Sequence, residues 1–389
     1  MIWTTCSPAT TPSIPTATGS RCSTNEPPLP RMLAPAVNRW ARWLQTNGPG
    51  RFQLASKVGW DAFVNTAARQ PLEQLTRAEM TRLSEEELED YTEARMVWNA
   101  NLPTVKTHQL LSAFRIIEQV MASNRRDADR LRGSVVIDAA PGLGKTTIAT
   151  RYAREFHRRT YRRHGPKTFS GHQRLPVAFI PLSAGITLKG LNQKILAFYG
   201  HPAANRATST RLGALAVDCV ASCETQLVVI DDLHFIGFRH RNGQEVSNHL
   251  KGLANEMPVT FIYVGVRLRE KRFFDEGILG PDAAYAQTSR RATRCEVAPF
   301  DITTDTGMRG WTDLLRALEG HILLADSRPG MVTDHAKELH RRTQGHIASL
   351  ANLIDRACYL AITTGVETIT ADLLHVTASD NAAATNTRS

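Results

Sequence analysis

The residues best suited to chemistry in this sequence follow one short apolar run. The segment 134–147 reads S-V-V-I-D-A-A-P-G-L-G-K-T-T. Gly142 and Gly144 allow backbone N–H groups to approach a bound phosphate closely. Lys145 can reach the β- and γ-phosphates of a nucleotide, and the Thr146 hydroxyl can bind Mg²⁺. A strand, a glycine turn, Lys-Thr and a helix in this order predict a phosphate-binding P-loop.

The motif is specific enough to outweigh an ordinary glycine-rich turn. By average residue frequencies, a run of this type arises in a chain of this length on the order of once in ten thousand. One departure from the consensus is Ala139, which stands where the first glycine is usual. Pro141, Leu143 and Thr147 complete the predicted nucleotide-binding set.

A second candidate element ends in two carboxylates. The segment 226–234 reads Q-L-V-V-I-D-D-L-H, an apolar run typical of a strand buried on both faces. By itself, a strand capped by Asp is the simpler interpretation. Beside a P-loop, however, such a strand end is where a Walker-B acid holds Mg²⁺. We therefore predict that Asp231 binds the metal, and that Asp232 polarises the attacking water with a reach one methylene shorter than that of Glu.

The charge of the chain favours a polyanionic partner. Its formal net charge is +10, and 38 of its 47 cationic residues are arginines. One arginine row follows the P-loop at helical spacing, and two readings stay open for it: a solvated helix face, or a face that tracks phosphates. The row contains Arg151, Arg154, Arg158 and Arg162, with Arg159 and Arg163 alongside.

Composition and hydropathy indicate a cytoplasmic protein without a membrane span. No run approaches the roughly 18 apolar residues that a spanning helix needs. The first residues lack the apolar core of a secretory signal, and Met32 offers an alternative start to Met1. The six cysteines are scattered, so we expect free thiols.

The pattern along the chain predicts five segments. Residues 1–38 are rich in Ser, Thr and Pro and are expected to be a disordered tail. Residues 39–100 form an N-terminal helical region, 101–300 an α/β ATP-binding core, and 301–378 a helical lid. Residues 379–389 are expected to be a flexible tail.

The core alternates strands with helices, which predicts a parallel sheet. A capping box at Ser84 and Glu87 predicts the start of one N-terminal helix, and Pro103 with Thr104 are expected to open another. The predicted strands cover 135–139, 176–182, 227–230, 259–265 and 293–298. The fold class is therefore α/β, a P-loop NTPase with a parallel-sheet core, an N-terminal helical region and a C-terminal helical lid.

Over roughly 96–377 the chain resembles the TniB/TnsC-type transposition ATPases of the AAA+ class. The resemblance depends on the order of several motifs, of which the helix with L-K-G-L-A-N-E and the Ser-Arg pair before the last strand are the most telling. The motifs are P-G-L-G-K-T-T (141–147), P-V-A-F-I-P-L (176–182), V-I-D-D-L-H (229–234), H-L-K-G-L-A-N-E (249–256), F-I-Y-V-G-V (261–266), T-S-R-R (288–291) and T-Q-G-H-I-A-S-L-A-N-L-I (343–354).

The resemblance implies an ATP- and Mg²⁺-dependent protein that assembles as a homo-oligomer on DNA, largely without sequence preference, and engages a DDE transposase for target selection. It also implies an arginine finger supplied by a neighbouring subunit, for which Arg290 matches the expected place and Arg291 is the alternative. A sensor arginine in the lid is left open among Arg341, Arg342 and Arg356.

Two departures from this family bear on hydrolysis rather than on binding. Val266 stands where a polar sensor residue is usual, and Asp232 replaces a Glu. Two other functions stay open: a helicase loader of the replication type, and an ATP-dependent signalling or defence switch that binds a protein but no DNA.

Overall fold

A five-stranded parallel sheet forms the centre of the molecule. The structure is a computed structural model, and it describes residues 37–127, 132–236, 241–269 and 292–380. Within these ranges the strands follow the order β2–β3–β4–β1–β5, and every pairing is parallel. The strands are β1 (Ser134–Ala139), β2 (Val177–Pro181), β3 (Leu227–Asp231), β4 (Thr260–Gly265) and β5 (Ala292–Val297).

The predicted α/β fold with a parallel sheet is thereby confirmed. Strands β1 to β4 are almost continuously apolar because the flanking helices bury both of their faces. β5 is an edge strand, and it alternates buried Cys295 and Val297 with more exposed residues. Strand β1 lies between β4 and β5, with Asp138 opposite Gly265 and Glu296, so the P-loop follows a central strand.

Helices precede, flank and follow the sheet. They are α1 (Arg39–Asn47), α2 (Lys57–Asn65), α3 (Arg77–Met80), α4 (Glu85–Asn99), α5 (His108–Ser123), α6 (Lys145–His164), α7 (Leu188–Tyr199), α8 (Ser209–Ser222), α9 (Arg241–Glu256), α10 (Asp305–Glu319), α11 (Ala336–Thr343), α12 (Ile347–Thr363) and α13 (Ala371–Val376). No helix in the described ranges combines the length and the apolar character that crossing a membrane requires.

Local hydrogen bonds explain where two of these helices begin. The predicted capping box starts α4: the Ser84 hydroxyl accepts from the Glu87 N–H, and the Glu87 carboxylate accepts from the Ser84 N–H. The expected helix start at Pro103 and Thr104 is wrong. Helix α5 begins at His108, because Thr107 is the residue whose hydroxyl accepts from a first-turn N–H.

The N-terminal helices are divided between the sheet and the C-terminal helices. On α2, Trp60 is fully buried in the core around the sheet and donates a hydrogen bond to His157 of α6. On α4, Arg95 forms a buried ion pair with Glu367, at 2.7 Å, in the turn after α12. The region predicted as one N-terminal segment therefore contacts both the core and the lid.

Candidate functional site

The P-loop connects β1 to α6 at the carboxyl edge of the sheet. Gly142 and Gly144 have φ values of +78° and +81°, a left-handed conformation that residues with a Cβ rarely adopt. Gly144 is the N-cap of α6 and contributes no side-chain cap. The N–H groups of the first turn of α6 have no acceptor within that helix, which makes this end of α6 suited to an anion.

Two predicted site residues from distant parts of the chain meet at this edge. The Thr146 hydroxyl donates a hydrogen bond of 2.9 Å to the Asp231 carboxylate at the end of β3. The other oxygen of Asp231 accepts from the Asp232 N–H at 2.9 Å. The Lys145 ammonium donates to the Ala140 carbonyl at 2.8 Å, across the base of the loop.

Burial acts against the charged forms of the central pair. It raises the pKa of Asp231, while the hydrogen bonds from Thr146 and from the Asp232 N–H act in the opposite direction. Burial also lowers the pKa of Lys145, which the negative charges of Asp231, Asp138 and Asp232 partly offset. A bound cation would therefore stabilise the ionised form of Asp231, and a bound anion would stabilise that of Lys145.

Asp232 takes an unusual backbone conformation. Its φ is +58° and its ψ is 36°, in the left-handed region that Asp tolerates better than most residues. Its side chain is partly exposed, and its carboxylate lies 3.9 Å from Nδ1 of His234. The predicted water-polarising residue is thus held directly after the buried Asp231, with its carboxylate open to solvent.

A third carboxylate near the P-loop was not predicted as a site residue. Asp138 interrupts the apolar run of β1, and one of its oxygens accepts from the Arg269 N–H at 2.9 Å. Its other oxygen is buried and has no hydrogen-bond partner among the described residues. A carboxylate near the carboxyl end of a central apolar strand is the sequence signal that could have identified it. Val266, which stands where a polar sensor residue is usual, follows Gly265, the β4 residue paired with Asp138.

An apolar cavity of about 220 Å³ lies between the P-loop and the lid. Its walls come from the segment before α5, the start of α6, the end of β5, and helices α10 and α12. The lid contacts the P-loop directly, because the Ala348 N–H donates to the Gly142 carbonyl at 3.0 Å. Lining residues include Pro103, Val105, Leu143, Thr147, Ile347 and Leu318.

Three of the six arginines in the row on α6 have hydrogen-bonding partners on neighbouring helices. Arg154 and Arg158 both donate to the carbonyls of Val64 and Thr66, at the end of α2. Arg159 instead pairs with Glu118 of α5. Arg154 and Arg158 therefore satisfy helix-end carbonyls of a neighbouring helix.

The three lid arginines have partners of their own. Arg341 pairs with Glu338 on the surface of α11. Arg342 is buried and donates to the carbonyls of Leu374 and Thr377, and Arg356 donates to the carbonyl of Ala378. Arg290 and Arg291 lie outside the described residues. Among the described residues, no group of three or more His, Cys, Asp or Glu side chains is arranged to hold a metal ion.

Comparison with known proteins agrees with this architecture. A family model described as an AAA domain matches residues 128–273. No curated protein sequence matches the chain. Among solved structures, the ORC1 protein of Aeropyrum pernix in complex with DNA is 16% identical with a TM-score of 0.53, over 72% of this chain and 67% of that one.

Two further structures are more distant. Cdc6p from Pyrobaculum aerophilum is 13% identical with a TM-score of 0.49, over 69% of this chain and 66% of that chain. Drosophila ORC bound to DNA is 13% identical with a TM-score of 0.45, over 81% of this chain and 70% of that chain. The family model and the ORC1 likeness show that the chain has the AAA+ P-loop NTPase fold.

Proposed function

We propose that this chain is an ATPase that binds Mg·ATP at the carboxyl edge of its sheet. The observation that carries the proposal is the 2.9 Å hydrogen bond between the Thr146 hydroxyl and the Asp231 carboxylate. Hydroxyl and carboxylate oxygens are ligands that suit Mg²⁺, so Thr146 and Asp231 would hold the ion beside the phosphates. Bound Mg²⁺ would neutralise charge on the phosphates. Lys145 would hold the β- and γ-phosphates.

The rest of the nucleotide has room beside the phosphate site. Pro141, Gly142, Leu143, Gly144 and Thr147 would surround the phosphates with the loop backbone and the start of α6. The apolar cavity next to Gly144 suits the base, since its walls are mostly aliphatic. The lid would then contact both the base and the P-loop, which favours coupling between nucleotide binding and lid position.

Hydrolysis would use Asp232 to polarise the attacking water and an arginine from a neighbouring subunit to stabilise the γ-phosphate. Arg290 is our candidate for that arginine, and Arg291 is the alternative. This assignment rests on the motif order in the sequence. It requires a homo-oligomer in which the nucleotide lies between two chains.

The finer function that we propose is that of an accessory ATPase of DNA transposition. Its ATP-bound oligomer would assemble on DNA, largely without sequence preference, and engage a DDE transposase. Support comes from the TniB/TnsC-like motif order, from the net charge of +10, and from the fold shared with an ORC1 protein that was solved with DNA.

The first experiment measures ATP affinity by calorimetry for the wild-type protein and for Lys145→Ala, with Lys337→Ala as the exposed-lysine control. We expect Lys145→Ala to lose tight Mg·ATP binding and the control to retain it. Equal affinity for Lys145→Ala and wild type would contradict the P-loop assignment.

Fluorescence anisotropy with labelled DNA, with and without ATP, then tests the DNA role. Failure to bind DNA at low salt would favour a switch that acts on proteins alone.

The oligomer has a separate test. Arg290→Ala leaves its own P-loop intact and should bind ATP, yet it should lose turnover because the neighbour's γ-phosphate lacks its charge. Mixing it with Lys145→Ala should restore some activity, since each variant supplies the half-site that the other lacks. If Arg290→Ala hydrolyses ATP at the wild-type rate, the finger assignment moves to Arg291.

A further inference from the structure

A basic groove lies at the amino edge of the sheet, opposite the P-loop. Strands β1, β3 and β4 begin beside it, and helices α5 and α6 end there. The groove encloses about 510 Å³. Its charged lining, which defines the basic groove, consists of Arg125, Arg126, Arg132, Arg159, Arg163, His164, Glu118 and Glu224.

Both acidic side chains of this groove, and its Arg126, already have hydrogen-bonding partners. Glu118 pairs with Arg159 at 3.1 Å, and Glu224 pairs with Arg174. The Nε of Arg126 donates to the carbonyl of Ser123, at the end of α5. The two acidic side chains of the groove are therefore each engaged by an arginine.

Besides Arg126, which hydrogen-bonds a backbone carbonyl, three arginines of the groove form no ion pair within the part of the chain that the structure describes. Arg125, Arg132 and Arg163 form no ion pair with any acidic residue in the described ranges, and Arg125 and Arg163 are exposed. They come from two segments that are separated in sequence, and the fold brings them to one concave surface. Since five arginines outnumber Glu118 and Glu224 in its lining, this concave surface carries an excess of positive charge that attracts a polyanion.

A hydrogen-bonded turn next to this groove carries an exposed aromatic side chain. Phe169 is fully exposed at the tip of the turn after α6. The turn is held by hydrogen bonds from the Thr168 N–H to the His172 carbonyl and from Arg174 to the carbonyls of Gly165 and Lys167. The chain thus fixes the backbone here while leaving the ring without packing.

One carboxylate connects the turn to the groove. The Phe169 N–H donates to Glu224 at 3.2 Å, and the same carboxylate group lines the groove and pairs with Arg174. The backbone of Phe169 is therefore held at the rim of the basic groove, and its side chain is exposed to solvent there. Cations in a groove beside an exposed ring are the two elements that bind an unpaired nucleic-acid strand: cations follow the phosphates, and a base stacks on the ring.

We propose that the basic groove binds single-stranded DNA, with phosphates on Arg125, Arg132 and Arg163 and one base stacked on Phe169. The inference rests on the proposed DNA-binding function and deepens it by assigning a site and a strand type. An unpaired strand fits better than an intact duplex, because a base can stack on a side chain only after it leaves the base stack. The site lies at the edge of the sheet opposite the nucleotide, so its loss leaves ATP binding intact.

The charge test compares two triple variants with the same change of net charge. The groove variant is Arg125→Gln/Arg132→Gln/Arg163→Gln. The control variant carries Arg82→Gln/Arg115→Gln/Arg211→Gln, at exposed positions outside the groove. Both are assayed with ATP by anisotropy of a labelled thymidine oligonucleotide over a range of salt concentrations, after thermal unfolding and ATP titration confirm that they fold.

For the groove variant we expect weaker binding, and a slope of log affinity against log salt that is smaller in magnitude by about 2, since each single-strand phosphate contact contributes about 0.7. The control should keep most of the wild-type slope. Equal binding by wild type and groove variant would overturn the site while leaving the proposed DNA-binding function standing. Equal losses of affinity in the groove and control variants would also overturn the site, because net charge alone would then explain binding. A wild-type protein that binds no DNA would overturn both proposals.

The stacking test uses Phe169. Phe169→Leu should lower single-strand affinity about tenfold, and Phe169→Trp should retain it, because base stacking needs an aromatic face. An oligonucleotide with 5-iododeoxyuridine should photocrosslink to the tryptic peptide 168–174. Wild-type affinity in Phe169→Leu, or crosslinks confined to other peptides, would overturn the stacking role. A different outcome is that the wild-type protein binds duplex DNA and no single strand, with the groove variant and Phe169→Leu both losing duplex affinity. That outcome would overturn the assignment to single-stranded DNA.

Discussion

The Thr146 hydroxyl and the Asp231 carboxylate are joined by a 2.9 Å hydrogen bond, although 85 residues separate them in sequence. Thr146 lies in the first turn of α6, and Asp231 is the last residue of β3. In the sheet order, β4 separates β3 from β1. The bond therefore connects the P-loop helix to a strand that is not adjacent to the P-loop strand.

Removal of the Thr146 hydroxyl should weaken Mg²⁺-dependent nucleotide binding. We expect Thr146→Ala to lose roughly 10- to 100-fold in Mg·ATP affinity, the effect of losing one interaction with a charged group. Thr146→Ser keeps the hydroxyl and should bind nearly as wild type. Calorimetry with Mg²⁺ and with EDTA separates the metal from the nucleotide: in EDTA all three proteins should bind ATP alike. A loss that persists in EDTA would assign Thr146 to the phosphates instead.

Asp232 should control turnover without controlling ATP binding. Asn tolerates the left-handed backbone found at this position (φ +58°), so Asp232→Asn removes the charge while keeping the local conformation. We expect turnover to fall by about 100-fold or more, the usual contribution of a general base, with unchanged ATP affinity. Asp232→Glu has the longer reach but adds backbone strain of about 1 kcal/mol. A wild-type rate in Asp232→Asn would show that another group activates the water.

Arg154 and Arg158 should matter for stability rather than for DNA. Their guanidinium groups donate to the carbonyls of Val64 and Thr66, so Arg154→Met/Arg158→Met should lower the free energy of unfolding by roughly 1–2 kcal/mol, allowing for partial exposure. Arg162→Met is the control on the same helix. Urea unfolding measures the effect. If the double variant loses much more DNA affinity than Arg162→Met and keeps full stability, the result would support a helix face that tracks phosphates.

The sequence predicted the local parts of this molecule well. Strands β1 to β4 follow from apolar runs, and the start of α4 follows from Ser84 and Glu87. The start of α5 was wrong because several residues before it could serve as a first turn, and only the hydrogen bond made by Thr107 distinguishes them. Caps and strands are visible in local patterns because the residues that specify each of these elements are close in sequence.

Contacts between residues that are far apart in the chain could not be predicted from the sequence. Nothing near Arg154 indicates that its partner is Val64, 90 residues away. The contact of Ala348 with Gly142 depends on how the lid packs. The basic groove joins segments whose charges look unremarkable one at a time. Such features arise from packing between elements, and local patterns in a single sequence do not specify that packing.

The buried pair Arg95 and Glu367 should hold α4 to the lid. Arg95→Met leaves Glu367 buried without its partner and should cost about 3–5 kcal/mol of unfolding free energy. Adding Glu367→Met removes the unpaired charge, so the double variant should recover part of that loss, although the Ala325 N–H loses its acceptor. Chemical denaturation of both single variants and the double variant completes the cycle. Additive losses would mean that the two charges do not interact.

His157 should make the fold sensitive to mild acid. The Trp60 indole N–H donates to Nδ1 of His157 at 3.1 Å, so this nitrogen is the acceptor and carries no proton. Burial lowers the pKa of His157 from 6.5 to about 4. The unfolded chain then binds a proton at a higher pH than the folded chain does. The free energy of unfolding should therefore fall as the pH drops from about 6.5 to about 4, by roughly 3 kcal/mol in total.

The measurement compares wild type with His157→Gln by urea unfolding at several pH values between 7 and 4. Gln can still accept from the Trp60 indole but does not titrate, so the variant keeps the hydrogen bond and loses the proton linkage. Acidic groups that titrate in the same range affect both proteins equally and cancel in the difference. We expect the stability advantage of the wild-type protein to shrink as the pH falls, and to level off below about 4. Parallel stability curves for the two proteins would show that His157 has the same pKa in the folded and the unfolded chain.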